Sequence, residues 1–153
     1  MSTHCFPIDT DELLKLDNQL CFALYSASLA MTKAYKPLLE NLGLTYPQYL
    51  VMLILWQQDG ITLREIADRM LMDSGALTPV LKRLEQQGLL TRRRVSGNER
   101  ALEICVTEQG TALKQQAAAV VMQIGSSCAL DLQEITSLRQ QLVQLRKKLT
   151  PET

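Results

Sequence analysis

Residues Thr62–Gly88, TLREIADRMLMDSGALTPVLKRLEQQG, decide the fold. Thr62 with Glu65 three residues on is a capping box, in which each side chain satisfies a backbone N–H of the other's end of the first turn. It opens a short helix, Leu63 to Met70. Leu71-Met72-Asp73-Ser74-Gly75 reads as a tight turn, and a second helix runs from about Ser74 to Gln87 and stops at Gly88. Short helix, turn, second helix is the outline of a helix-turn-helix.

Beyond Gly88 the period changes. Leu89 to Val95 and Arg100 to Val106 read as two strands around Ser96-Gly97-Asn98-Glu99, with Leu102, Ile104 and Val106 alternating inward. A hairpin directly after a helix-turn-helix is a wing. Upstream, Thr45 caps a helix over about 46–58 that carries Pro47 in its first turn. It is apolar nearly all round and belongs in the centre of the core.

The ends of the chain are helical as well. Leu13, Leu16, Leu20, Leu24, Ala27 and Met31 form a stripe over about 12–33, and Pro37 bends or restarts that helix. Thr107 caps a long helix to about Ser127. A last one over about 131–149 carries Leu132, Ile135, Leu138, Leu142, Leu145 and Leu149. These end helices hold more apolar surface than one small winged domain covers. The expectation is a symmetric dimer built from both termini, the alternative being ends that pack on their own domain.

The expected fold is thus mainly α with a small β-wing. It is a single domain over 1–153, with dimerisation helices at 12–44 and 107–149 flanking a winged helix-turn-helix at 45–106.

Net charge is zero, but its distribution is uneven. Lys82, Arg83, Arg92, Arg93, Arg94 and Arg100 crowd one stretch that holds only Glu85 and Glu99 as acids. One positive end is the electrostatic footprint of a nucleic-acid binder; a solvated charged face is the plainer alternative. The start of the second helix offers Ser74, Gly75, Ala76, Thr78 and Pro79, small enough for close approach to bases. Thr78 can hydrogen-bond a base or phosphate and Ala76 can touch a thymine methyl. Pro79, close to the first turn, is expected to cost the helix little. Lys82 and Arg83 a turn later are placed to meet phosphates. On the wing, Arg92 and Arg94 share one face and Arg93 takes the other, while Arg100 is the candidate for the minor groove.

No apolar run reaches the roughly 18 residues of a membrane span, and Met1–Thr10 has no secretory pattern. The expectation is a cytoplasmic chain without membrane contact. The cysteines, Cys5, Cys21, Cys105 and Cys128, are scattered and His4 is the single histidine, so neither a metal nor any other cofactor is expected. Cys5 and Cys105 read as bystanders, with Cys5 a reserve partner in any thiol exchange.

Cys21 lies in the apolar run Leu20–Tyr25 and has three readings: a packed core thiol, the lining of a ligand pocket, or a reactive thiolate. As a mid-helix residue it would get no help from a helix N-terminus. Stabilisation of an anion there would fall to the tyrosines Tyr25, Tyr35, Tyr46 and Tyr49, which cluster nearby in sequence. Cys21 and Tyr35 are fourteen apart, so contact needs a fold-back or a second subunit.

The strings Leu16–Phe22, Met31–Leu39, Leu44–Leu50, Asp73–Pro79 and Leu84–Leu89 resemble the organic-hydroperoxide-resistance repressors of the MarR family, over about residues 13–110. The resemblance implies a homodimeric repressor on pseudo-palindromic operator DNA, not an enzyme. It implies oxidation of Cys21 to a sulfenic acid by an organic hydroperoxide, hydrogen bonds to that sulfur from Tyr35 and Tyr46 across the dimer, and resolution by Cys128 as a disulfide that releases DNA. The wing departs from the family pattern: Asn98 precedes Glu99-Arg100 where an aspartate is usual. Two other readings stay open, a regulator released by a small phenolic or aromatic ligand and a thiol peroxidase.

Overall fold

The computed structural model describes residues 9–95 and 98–151, with the backbone alone for 98–100. His4, Cys5, Ser96, Gly97 and the side chain of Arg100 lie outside the described residues. By its own contacts the chain divides into two compact units, Met1–Lys114 and Gln115–Thr153.

The first unit begins with α1 (Thr10–Leu13) and a single 3-10 turn (Leu16–Asn18), followed by α2 (Leu20–Glu40). The helix expected from residue 12 therefore starts at Leu20. The cause is local competition for backbone carbonyls. Asn18 Nδ2 donates to the Glu12 carbonyl at 2.7 Å, and Gln19 Nε2 donates to those of Leu13 at 2.7 Å and Lys15 at 2.8 Å. Pro37 does not restart the helix but lies inside α2. The helix gives up the bond Pro37 cannot donate, while Leu39 just beyond is anchored in the core at 1% exposure.

Next come α3 (Tyr46–Gln57), β1 (Ile61–Thr62), α4 (Leu63–Met70), α5 (Ser74–Gln86), β2 (Leu90–Val95), β3 (Asn98–Val106) and α6 (Glu108–Ala112). Both expected capping boxes are present, Thr45 with Gln48 and Thr62 with Glu65. Helix α3 is central, with Tyr49, Val51, Met52, Ile54 and Leu55 all buried. Around it pack Ile66 of α4, Leu77, Leu81 and Leu84 of α5, Leu90 of β2 and Ile104 of β3. The turn between α4 and α5 is made by Leu71, exposed and left-handed at φ 56°.

Among the described residues the sheet is antiparallel with order β1-β3-β2. Its third strand was not foreseen: Ile61 and Thr62 pair with Ile104 and Glu103. Helix α6 packs tightly, since a Cβ on Gly110 would overlap the Leu89 carbonyl. The Gly110 carbonyl accepts from Trp56 Nε1 at 3.0 Å and from Leu113 N–H at 3.3 Å, three residues on. That tightened turn divides the helix expected over 107–127 into α6 and α7.

The second unit comprises α7 (Lys114–Ser127) and α8 (Leu132–Leu149). In α7, Ala117, Val120 and Ile124 are buried at helical spacing. Helix α8 has no buried residue, and Leu132, Leu138, Leu142 and Leu149 are exposed along it. In the first unit Leu16, Leu20, Tyr25, Leu29 and Met31 are likewise exposed. Among the described residues no helix is long and apolar enough to cross a membrane.

Candidate functional site

Helices α2 and α3 bring three tyrosines together. The Thr45–Gln48 box fixes where α3 begins and so puts Tyr46 in its first turn. Tyr49, three residues on, shares that face, and Tyr35 meets both from α2. Ring centroids are 5.2 Å apart for Tyr35–Tyr46, 5.5 Å for Tyr35–Tyr49 and 6.1 Å for Tyr46–Tyr49. Tyr49 is 2% exposed, whereas Tyr35 and Tyr46 are half-buried. Burial raises Tyr46 above the ordinary phenol value. It also pushes Tyr49 up to about 12, helped by the neighbouring Tyr35 charge, a hydrogen bond with Tyr35, and Tyr46. Tyr46 and Tyr49 therefore enter neutral-pH chemistry as O–H groups.

Cys21 stands apart from this cluster. It is the second residue of α2, on the same unbroken helix as Tyr35. Fourteen residues of α-helix put the two about 21 Å apart. The chain thus unites Tyr35 with Tyr46 but not with its own Cys21. The mid-helix placement expected for Cys21 is corrected: because Asn18 and Gln19 terminate the preceding turn, Cys21 falls in the first turn of α2 and is exposed. Gln19 makes no side-chain cap bond there. The positive end of the helix dipole therefore bears on that turn and favours negative charge in it.

Cys128 follows the last residue of α7 and is half-buried. Its N–H donates to the Ile124 carbonyl at 3.0 Å, and Ala129 after it is left-handed at φ 53°. Cys105 points its thiol at Glu103 Oε1, 3.4 Å away. Burial first, then that hydrogen bond, pushes it up, which makes a poor nucleophile.

Helix α5 presents Gly75, Ala76, Thr78, Pro79, Lys82 and Arg83 on its exposed side, with Ser74 half-buried at its start and Leu77, Leu81 and Leu84 turned inward. Thr78 Oγ1 donates to the Ser74 carbonyl at 3.0 Å. Pro79 is the sixth helical residue, deeper than expected, so the Gly75 carbonyl lacks its usual helical donor. A Cβ on Gly75 would meet only Asp73 Oδ2, at 3.6 Å. Packing therefore does not require glycine there.

On the wing, the three arginines of β2 differ. Arg92 is half-buried and forks onto Glu85 of α5. Arg93 pairs with Glu103 at 2.7 Å across the β2–β3 ladder, and Arg94 is exposed. Alternation of Arg92 and Arg94 against Arg93 thus follows the strand, but the Glu85 brace was not foreseen.

The MarR family model matches residues 44–102, from just before α3 through most of the wing. An organic hydroperoxide resistance transcriptional regulator of Bacillus subtilis is 46% identical over 127 residues, covering 81% of this chain and 86% of that one. The chain belongs to the MarR family. Within it, the identity places the chain on the organic-hydroperoxide-resistance branch. AbfR, a protein of Staphylococcus epidermidis, is a second relative of known structure. Reduced AbfR bound to DNA is 38% identical with a TM-score of 0.74, covering 92% of this chain and 99% of that one. AbfR with its disulfide formed is 37% identical with a TM-score of 0.62, covering 91% and 92%.

Within the MarR family frame, sequence reasoning held Tyr49 only as one of four candidate tyrosines near Cys21 and did not foresee Glu85 as a partner of Arg92. The three-residue spacing from Tyr46 on a helix was a usable signal for Tyr49. Glu85 had none, since its partner lies on a different element.

Proposed function

We propose that this chain is a homodimeric transcriptional repressor that holds pseudo-palindromic operator DNA while Cys21 is reduced and releases it when an organic hydroperoxide oxidises Cys21. One observation carries the reading. The Tyr35–Tyr46 pair is assembled yet lies about 21 Å along α2 from the same chain's Cys21. Such a tyrosine pair serves a thiolate only if a second copy supplies it. The exposed leucines of α2 and α8 are the surfaces on which a second copy would dock.

The chemistry balances without a cofactor. The Cys21 thiolate attacks the terminal peroxide oxygen; an S–O bond forms, the O–O bond breaks, and the alkoxide leaves and takes a proton. The products are Cys21 sulfenic acid and an alcohol. Tyr35 and Tyr46 donate hydrogen bonds to the sulfur, and the first-turn position adds the helix dipole. The Cys128 thiolate then attacks the sulfenic sulfur; the S–S bond forms and hydroxide leaves as water. A disulfide needs Cα atoms within about 7 Å. Closing it moves the helices that carry the two α5 reading heads, whose spacing must match a DNA turn of about 34 Å.

On the DNA side, Ser74, Gly75, Ala76, Thr78 and Pro79 face bases, Lys82, Arg83 and Arg94 meet phosphates, and Arg100 enters the minor groove. Arg92, engaged by Glu85, holds the wing in place. A sensor that must start reduced belongs in the cytoplasm.

The test is a gel shift on the promoter beside the chain's own gene, before and after one equivalent of organic hydroperoxide. Wild type should release DNA and Cys21→Ser should stay bound; release by both, or by neither, sinks the thiol switch. Cys128→Ser should lose the covalent dimer on non-reducing gels.

One observation favours the ligand-released reading: a cavity of about 570 Å³ lined by Leu29, Leu39, Leu44, Thr45 and Tyr46 among others. Release of Cys21→Ser by a phenolic ligand would select it.

A further inference from the structure

The C-terminal ends of α2 and α5 are built alike. Each closes with the paired backbone bonds of a Schellman motif. After α2, the Leu44 N–H donates to the Leu39 carbonyl and the Gly43 N–H to that of Glu40, both at 3.0 Å. After α5, the Leu89 N–H donates to the Leu84 carbonyl and the Gly88 N–H to that of Glu85, again at 3.0 Å. Gly43 at φ 71° and Gly88 at φ 77° take the left-handed position between them. Leu39, Leu44, Leu84 and Leu89 are all buried. Both helix ends are therefore stiff. The Gly43 carbonyl is not used by its own motif, and Gln87 donates to it from Nε2 at 2.7 Å.

The two residues are 44 apart in sequence and both are exposed. A neutral bond in that setting adds little to stability, because water can take either partner. Its consequence is positional. Gly43 lies in the corner between α2, which carries Cys21 and Tyr35, and α3, which carries Tyr46. Gln87 caps the end of α5, the helix with the candidate DNA surface. Leu77, Leu81 and Leu84 seat α5 in the core, but apolar packing has no direction of its own. The Gln87 bond adds that direction, and it joins two stiff ends. Glu85, two residues before Gln87, accepts from Arg92, so a shift at this end of α5 reaches the wing as well.

We propose that Gln87 is a positioning residue for DNA release: its bond to the Gly43 carbonyl ties the end of α5 to the corner of the sensing helices, so that displacement of α2 on oxidation is carried to the DNA surface. This rests on the reading of Cys21 as the sensor and of α5 as the DNA-reading helix.

The experiment measures operator affinity on the promoter beside the chain's own gene, using the full-length dimer reduced and after one equivalent of tert-butyl hydroperoxide. The quantity read is the ratio of oxidised to reduced Kd, which reports coupling between the two sites. Quenched alkylation confirms that Cys21 is consumed equally in every variant. Gln87→Met keeps the length of the side chain and removes the donor. It should change reduced-state affinity by less than about twofold and lower the ratio about 3- to 10-fold, the worth of one ordered neutral hydrogen bond. Gln87→Lys restores a donor and suits two helix C-termini, so its ratio should stay within about twofold of wild type. A wild-type ratio in Gln87→Met overturns the proposal, and this includes a parallel fall of both affinities, the mark of mere structural support. So does a Gln87→Lys ratio as low as that of Gln87→Met. If wild type itself keeps its DNA after oxidation, the thiol switch falls and the proposal with it, whereas release by wild type with an unchanged Gln87→Met ratio removes Gln87 alone.

Discussion

Glu85 and Arg92 join the second helix of the helix-turn-helix to the wing through three hydrogen bonds. Glu85 Oε1 accepts from Arg92 Nε at 3.2 Å and from Nη2 at 3.0 Å, while Oε2 accepts from the Arg92 backbone N–H at 2.9 Å. Two guanidinium N–H groups converge on one carboxylate oxygen while the other takes the backbone N–H, so the pair fixes the strand as well as the side chain. The second helix of the helix-turn-helix and the wing are thereby held as one body.

Glu85→Gln should lower stability by about 1 kcal/mol, the upper range for a partly exposed pair, and weaken operator binding by about fivefold. The pH dependence has a definite sign. Arg92 holds the Glu85 carboxyl below its ordinary value of 4.5. The brace therefore contributes fully above that value and is lost as pH falls through the lower, folded-state value. Acid unfolding curves of Glu85→Gln should lack this contribution and be shallower below pH 4.5.

Two glycines should respond in opposite ways to alanine. At Gly110 the added methyl meets the Leu89 carbonyl, Val106 Cγ2 at 2.7 Å and Met52 Cε at 3.1 Å. Overpacking against backbone should cost about 1–3 kcal/mol in urea unfolding. At Gly75 the methyl meets nothing closer than 3.6 Å, and helix propensity should raise stability by about 0.5–1 kcal/mol. Operator binding by Gly75→Ala should nonetheless fall. An unchanged affinity would remove Gly75 from the DNA surface.

Leu71 occupies the left-handed region at φ 56° with its side chain exposed. Leu71→Asn, better suited to that conformation, should raise the melting temperature by relieving about 1 kcal/mol of backbone strain. A lower melting temperature would show that the exposed leucine makes a contact worth more than the strain.

Tyr49 gives an alkaline signature. Its folded-state value of about 12 exceeds the ordinary 10.0, so its contribution is complete below 10.0 and is lost as pH rises through about 12. In Tyr49→Phe, stability measured by denaturant between those limits should decline less steeply than in wild type. Equal slopes would contradict the burial of this hydroxyl.

The sequence made the helix-turn-helix legible because its boundaries are local: Thr45, Thr62, Gly88 and Thr107 act on the three or four residues beside them. It hid what depends on distant partners or on close competition. The start of α2 turned on Asn18 and Gln19 side chains outbidding a plausible leucine stripe. Strand β1 is only Ile61–Thr62, too short for any periodicity to register. Tyr35 and Tyr46 were reached by resemblance, but the packing of α2 on α3 was needed to reveal Tyr49 as their neighbour. The Glu85–Arg92 brace links elements whose approach only the folded chain defines.

The unbroken course of α2 from Leu20 to Glu40 has a genetic consequence. If each sensing centre takes its sulfur from one polypeptide and its phenols from another, defects in the two parts should complement. A Cys21→Ser chain offers intact phenols without a sulfur, and a Tyr35→Phe chain offers the reverse. Each alone should be impaired in its response, yet co-expression should rebuild one complete centre per hybrid molecule and restore induction. Peroxide sensitivity would then also depend on how much of the protein a cell makes, since an unpaired chain carries both halves and can use neither.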